Sequence, residues 1–199
     1  MLDEGGFDYG VLTGIGLIIA SAAILIFVFA LFGSMKPANT AIALENAACE
    51  VSGDLETVGS IAVPYSESRY YGFDGIGVLV SEDRVTATMG GVSFSKPLTI
   101  RISPGKYVDN GSIRWNDTED FRHYLKVSFN ATGTIDDPLD PVYSARLGSL
   151  MRKAASSTLL SPVQIVPKRP LLIERSFVYL AGNYTVAPEV NAYVFVYQG

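Results

Sequence analysis

The chain has 199 residues, 48% of them apolar and 18% charged, with a net charge of −5. That length suits one domain, or a small domain plus an anchor. The composition excludes a disordered tail, a collagen-like repeat and a disulfide-dense mini-protein, since Gly is 19, Pro 10 and Cys 1. The balance is acidic and no basic cluster interrupts it. Nucleic acid, whose phosphates need patches of Lys and Arg, is therefore not an expected partner.

Mean hydropathy is +0.26, high for a soluble domain, and one segment explains most of it. Val11 to Phe32 reads VLTGIGLIIASAAILIFVFALF, 22 residues without a charge and with only Thr13 and Ser21 as polar side chains. As a helix it spans about 33 Å, close to the hydrocarbon thickness of a bilayer. The spacing predicts a transmembrane helix over 11–33, behind an N-terminal leader or tail, 1–10. A cleaved secretory signal has a shorter apolar stretch behind basic residues, whereas MLDEGGFDYG is acidic. Gly16, Ala20, Ala23 and Ala30 fall near one stripe of the helix. Small residues let helix backbones approach closely in lipid, so Gly16, Ala20 and Ala23 are candidate helix-packing positions. Ordinary membrane-helix composition is the other reading of that stripe. The segment holds no ionisable side chain, so a proton relay built from it alone is not expected.

Two signals bear on orientation. Lys36 follows the span while Asp3, Glu4 and Asp8 precede it, which favours the C-terminal side inside. Four N-x-S/T sequons point the other way, at Asn110, Asn116, Asn130 and Asn183. Glycosylation there needs exposure outside the cytoplasm. The chain has seven Asn, for which chance gives roughly one such match. The expectation is a single-pass protein of the cell membrane with its C-terminal domain, 61–199, outside.

Gly33-Ser34-Met35-Lys36-Pro37 predicts an end or a kink in the helix, since Pro lacks the backbone donor. Ala41, Leu44, Ala48, Val51, Leu55 and Val58 then form a short heptad seam. A short amphipathic helix over 38–60 follows. It either packs its stripe on the outer domain or acts as a stalk against copies of itself. From Ile61 the period becomes two. Ile61–Pro64, Arg69–Phe73, Ile76–Val80 and Arg84–Met89 read as short strands, and Met89-Gly90-Gly91-Val92 as a hairpin turn. Leu98–Ser103 and Tyr124–Asn130 read as further alternating strands, the latter with Leu125, Val127 and Phe129 inward. Asp140-Pro141 opens a helix with Tyr143, Leu147, Leu150, Met151 and Ala154 as its apolar stripe. Leu171–Leu180 and Tyr184–Gln198 form a hairpin candidate, with Pro188 marking an edge or a break. Tyr193, Phe195 and Tyr197 share one face there, as core or subunit contact. The expected fold class is α+β: a transmembrane helix, an amphipathic helix, then a mainly antiparallel, sandwich-like β-rich domain with one inserted helix.

His123 and Cys49 are the only His and Cys. Zinc, haem and iron–sulfur sites need more ligands of that kind, so no cofactor or metal is expected. A Ser–His–Asp arrangement would have to use His123 with Asp117 or Asp120, and no G-x-S-x-G accompanies them. Cys49 is either an intermolecular bridge or a small buried thiol. Gly72–Gly77 is glycine-rich without the spacing of a phosphate loop and reads as a turn. Asp109–Ser112, Asn116–Asp120 and Asp136–Asp140 gather oxygen ligands but miss the calcium-loop pattern. No catalytic residue is assigned, and a non-enzymatic protein is expected.

Val11-Leu12-Thr13-Gly14-Ile15-Gly16-Leu17-Ile18-Ile19 resembles the start of mature archaeal archaellins. The plan is similar to that family and to archaeal type IV pilins: a hydrophobic N-terminal helix, then a β-rich, often N-glycosylated head. The resemblance implies helices packed as a filament core with heads as its outer wall. It also implies cleavage after Gly10 by a prepilin-type peptidase, leaving Val11 first. Unlike the family's leader, this one has no Lys or Arg before Lys36. The expected function is a membrane-anchored extracellular structural protein, either a pilin-like filament subunit or a filament-associated envelope component. Its partners are membrane lipid and protein subunits reached through the two helical segments. The alternative is an accessory, non-catalytic subunit of a larger membrane complex.

Overall fold

The computed structural model describes residues 5–182 and 188–198, with side chains in the first helix from 13 to 30 and from 39 onward. The chain divides into two compact units, Met1–Ile42 and Ala43–Gly199. Both draw on α1, which is assigned as one α-helix over Gly5–Ser60. The backbone is helical through Gly33–Pro37, where the sequence predicts an end or a kink. A proline removes one i→i−4 hydrogen bond and crowds the carbonyl four residues earlier, here that of Gly33. Long helical runs on either side carry the helix past one missing rung. The segment 38–60 is therefore no separate helix, and residues from Ala43 onward belong to the β-rich unit rather than to a stalk.

In that unit one face of α1 is the spine of the core. Leu44, Ala48, Val51, Leu55 and Val58 are fully buried, with Ala47 beside them. Their spacing of three and four puts them on one stripe, as the seam predicts, except that Ala41, its expected first member, is exposed. They form one cluster with residues from two four-stranded sheets. The elements after α1 are β1 (Tyr65–Arg69), β2 (Gly77–Val80), β3 (Arg84–Met89), β4 (Val92–Pro97), β5 (Ile102–Pro104), β6 (Tyr107–Asp109), β7 (Ser112–Trp115), α2 (Thr118–Phe129), α3 (Ser144–Leu160), β8 (Val163–Ile165), β9 (Leu171–Leu180) and β10 (Glu189–Gln198). One sheet has the order β1-β9-β10-β5, the other β4-β3-β2-β8, and β6-β7 is a separate hairpin. All pairings are antiparallel except that of β10 with β5. Val78, Val80, Val85 and Ala87 come to the α1 stripe from one sheet, and Ile173, Val194 and Val196 from the other. The β9–β10 sheet is covered on both faces. Val178, Leu180 and Phe195 join Trp115, Phe121, Leu125 and Leu147 in a second cluster under α2 and α3.

Local sequence explains most element ends. Gly90 and Gly91 both have positive φ, 57° and 82°, as a two-residue turn between twisted strands requires. Gly105 brings its amide to the Val196 carbonyl at 2.9 Å, and a Cβ there would run into the Tyr197 ring. Asp140 accepts from the Val142 amide, with Pro141 opening a 3-10 turn that leads into α3. The aromatic face of β10 is core: Phe195 is fully buried and Tyr193 half-buried against the same cluster.

Several expected strands are not strands. Tyr124–Asn130 belongs to α2, so the β-rich unit carries two α-helices beyond α1, not one. Leu125 and Phe129 lie four apart and are buried with Phe121, whereas Val127, inward on the strand reading, is 73% exposed. Asp117 caps this helix by accepting from the Asp120 amide, and Asn130 ends it at φ 61°. Leu98–Ser103 is mostly loop. Its donors are taken by other elements: Leu98 N–H by the Asp83 carbonyl, Ile102 N–H by the Glu82 carbonyl, and Thr99 N–H by the Glu56 carboxylate on α1. Ile61–Pro64 is not a strand, nor is the expected Arg69–Phe73 beyond its first residue; β1 lies four residues earlier, over Tyr65–Arg69. Pro188 sits just before β10 rather than within an edge strand, and β10 runs between β9 and β5.

Two substitutions check this description. Leu55→Ala should lower the stability of the β-rich unit by about 2–5 kcal/mol, as buried leucines do. Val127→Ala should cost under about 0.5 kcal/mol. Denaturant unfolding of both variants measures this, and a cost at Val127 matching that at Leu55 would restore the inward strand.

Candidate functional site

The first candidate is the apolar segment of α1. Thr13–Ala30 is an 18-residue window with a mean hydropathy of 2.5, none of it buried within the chain. It is long and apolar enough to cross a membrane, as is a signal sequence. Phe29, Ile18 and Ile26 are each at least 70% exposed. Gly16, Ala20 and Ala23 are exposed as well, and a Cβ at Gly14 or Gly16 would meet nothing within 4 Å. The Ser21 hydroxyl donates to the Leu17 carbonyl at 2.8 Å, so this polar side chain is satisfied by its own helix.

Three sequon asparagines are exposed. Asn110 lies at positive φ in the β6–β7 turn, Asn116 precedes the α2 cap and Asn130 follows α2. Asn116 donates from Nδ2 to Asp120 at 2.9 Å. Asn183 lies outside the described residues.

The acidic loops act within the fold. Asp109 is held at 2.6 Å from Lys153 Nζ and 3.4 Å from Arg114, and these neighbours, Lys153 first, keep its carboxyl below the ordinary range. Asp137 accepts from Thr132 N–H at 2.9 Å and from Lys126, which lower its pKa in that order. Among the described residues, no three His, Cys, Asp or Glu side chains gather as metal ligands do. His123 is exposed on α2, while Asp117 and Asp120 are engaged with backbone amides and Asn116. The structure brings no triad together from them. Cys49 is partly exposed on α1 and unbridged.

A cleft that sequence reasoning missed lies between α3 and the sheet. It encloses about 550 Å³ and is lined by Gly59, Ile100, Arg101, Ser103, Gly148, Met151, Arg152, Arg175, Ala192, Tyr193 and Val194. Three of these are arginines and none is acidic. β5 pairs β10 only at Val194–Val196, so Glu189–Tyr193 has no strand on that side among the described residues. This leaves space beside α3, where Gly148 presents no side chain. A smaller cleft of about 390 Å³ shares Gly148, Arg152 and Tyr193 and adds Ser144, Glu189 and Asn191. Burial and then Glu189 push the Tyr193 phenol up to about 12, with Arg152 opposing. Scattered positions 101, 152 and 175 carry no motif, so only the fold could show their convergence.

No protein-family model, curated protein or solved structure matches this chain. Function must be argued from the geometry alone.

Buried phenols set the pH response. Tyr71 is raised by burial and then by its 2.7 Å hydrogen bond to Asp54, and Tyr197 by burial and then by Glu174. A phenol whose folded pKa exceeds the unfolded value stabilises the fold below that value, and the stabilisation is lost as pH rises above it. Stability should therefore hold from neutral pH to about 10, the ordinary tyrosine value, and fall beyond it. Phenolate absorbance and circular dichroism followed together should show late-titrating tyrosines ionising with unfolding. A fold that stays intact after all 11 tyrosines have ionised would contradict this.

Proposed function

We propose that this is a membrane-anchored structural protein whose α1 serves two solvents. The segment Thr13–Ala30 sits in lipid or against the same segment of other copies. The Leu44–Val58 stripe holds a sandwich-like, glycosylated head outside the cell. The observation that carries this reading is the contrast along one helix: the N-terminal apolar stretch has no cover of its own, while the C-terminal stripe is fully buried. Eighteen consecutive, mostly apolar side chains left in water would drive aggregation, so a partner surface must cover them. The stripe is occupied within the chain, so assembly contacts fall to the upstream segment. The exposed sequons at Asn110, Asn116 and Asn130 support placing the head outside.

The plan resembles a pilin-like filament subunit, in which Gly16, Ala20 and Ala23 would form the close helix contact. Gly16→Leu with Ala20→Leu tests it. Both residues are exposed among the described residues, so head stability should be unchanged while filaments or oligomers of the native protein are lost. Assembly undiminished by the pair would remove these positions from the interface. A second reading is an accessory subunit docked by its helix on a larger complex. It is favoured by the acidic segment before the apolar run, which has no Lys or Arg before Lys36, unlike the leader of the filament family. Intact mass separates the two: a chain starting at Val11 supports the filament subunit, and one retaining Met1 the accessory subunit.

A further inference from the structure

Arg175 is the least explained charge in the head. It lies on β9 between Ile173 and Phe177, facing the same side of the sheet as Val194. Its Nε and Nη1 are sealed from solvent and have no hydrogen-bond partner. The guanidinium stacks over the Phe177 ring at 5.1 Å and forms no ion pair among the described residues. Arg122, another half-buried arginine, shows what the fold does when an arginine is structural. It donates to the carbonyls of Thr132, Gly133 and Phe177 and to the Ser176 hydroxyl, at 2.7–3.1 Å. Burying a guanidinium without acceptors is costly, and its five donors in a planar fork match the oxygens of a carboxylate or phosphate.

The surroundings of Arg175 fit such a ligand. It lines the same cleft as Arg152 and Arg101, with the buried Ser103 beside them. Arg152 is exposed and unpaired with any acid among the described residues, while Arg101 is held at 2.8 Å from Glu82. Three guanidiniums around one cleft, in a chain of net charge −5, form a local positive potential against the sign of the whole. We propose that this cleft is an oxyanion site, with Arg175 at its base and Arg152 at its mouth, taking a ligand that carries a phosphate or carboxylate group. That group supplies an acceptor to Arg175 where it lines the cleft, and Ser103 and Tyr193 offer further hydroxyl donors. The proposal concerns the head alone and does not depend on what covers the anchor.

Thermal unfolding of the full-length chain in detergent tests this, with inorganic phosphate or citrate added against chloride at matched ionic strength. Phosphate or citrate should raise the melting temperature in a saturable way, and chloride should not. Arg152→Gln should weaken that binding at least about tenfold, as loss of one charge-assisted contact does. Arg175→Met should abolish the anion-dependent rise while raising the melting temperature in chloride alone, because an unpaired buried charge is removed. A merely structural arginine would give the opposite sign in chloride. If Arg175→Met does not fold, Arg152→Gln decides by itself. Equal stabilisation by chloride, or an anion-dependent rise retained in the folded variants, overturns the site. Sedimentation at saturating phosphate separates the sources of the oxyanion. Dissociation of oligomers assigns it to an acidic side chain of a second copy, and unchanged sedimentation assigns it to a free anion.

Discussion

The constraint on which the head depends is the burial of one face of α1. A two-sheet arrangement whose core strands are only three to six residues long apart from β9 and β10 has little apolar surface of its own to close on. Leu44, Val51, Leu55 and Val58 provide it, each contributing roughly 1.5–3 kcal/mol of gross burial. The two sheets share the stripe as a common core, and they also meet where Gln198 at the end of β10 bonds both the amide and the carbonyl of Val166 beyond β8. The second layer, with α2 and α3 on the far face of β9 and β10, then makes β9 a strand buried on both sides. This is why burial along it does not alternate cleanly, with Ser176, Phe177 and Val178 buried in succession.

The same helix explains the division of labour along the chain. None of the Thr13–Ala30 window is buried by the described residues, and the Ser21 hydroxyl within it donates to the Leu17 carbonyl. Such a segment is compatible with lipid, where every backbone group must be satisfied internally. The acid-rich loops are engaged in capping and turn contacts, with Asp117, Asp137 and Asp140 each accepting from backbone amides. Chemistry in the head therefore concentrates at the arginine-lined cleft beside α3.

What the sequence discloses depends on whether an element is defined by its own pattern or by its partners. The apolar run, the Leu44–Val58 stripe, the β3–β4 hairpin, the Asp140–Pro141 helix start and β9 announce themselves, because each carries its own period, cap or turn residues. β1 is Tyr-Ser-Glu-Ser-Arg, an exposed edge that exists because β9 pairs with it, so no pattern betrays it. α2 misled because Leu125, Val127 and Phe129 alternate, and two of those three also satisfy a spacing of four from Phe121. The Asp117 cap was the better signal. The arginine cleft was illegible: its three guanidiniums come from a loop, a helix and a strand, and only tertiary folding joins them.

The central claim is that Thr13–Ala30 requires a nonaqueous surface. Flotation of the full-length chain with phospholipid vesicles on a density gradient measures this directly. The account predicts that the chain floats with the vesicles, and that replacing Ile18, Ile26 and Phe29 with aspartate leaves it at the bottom with its head still folded. A wild-type chain that stays at the bottom as a folded, water-soluble monomer would contradict the account.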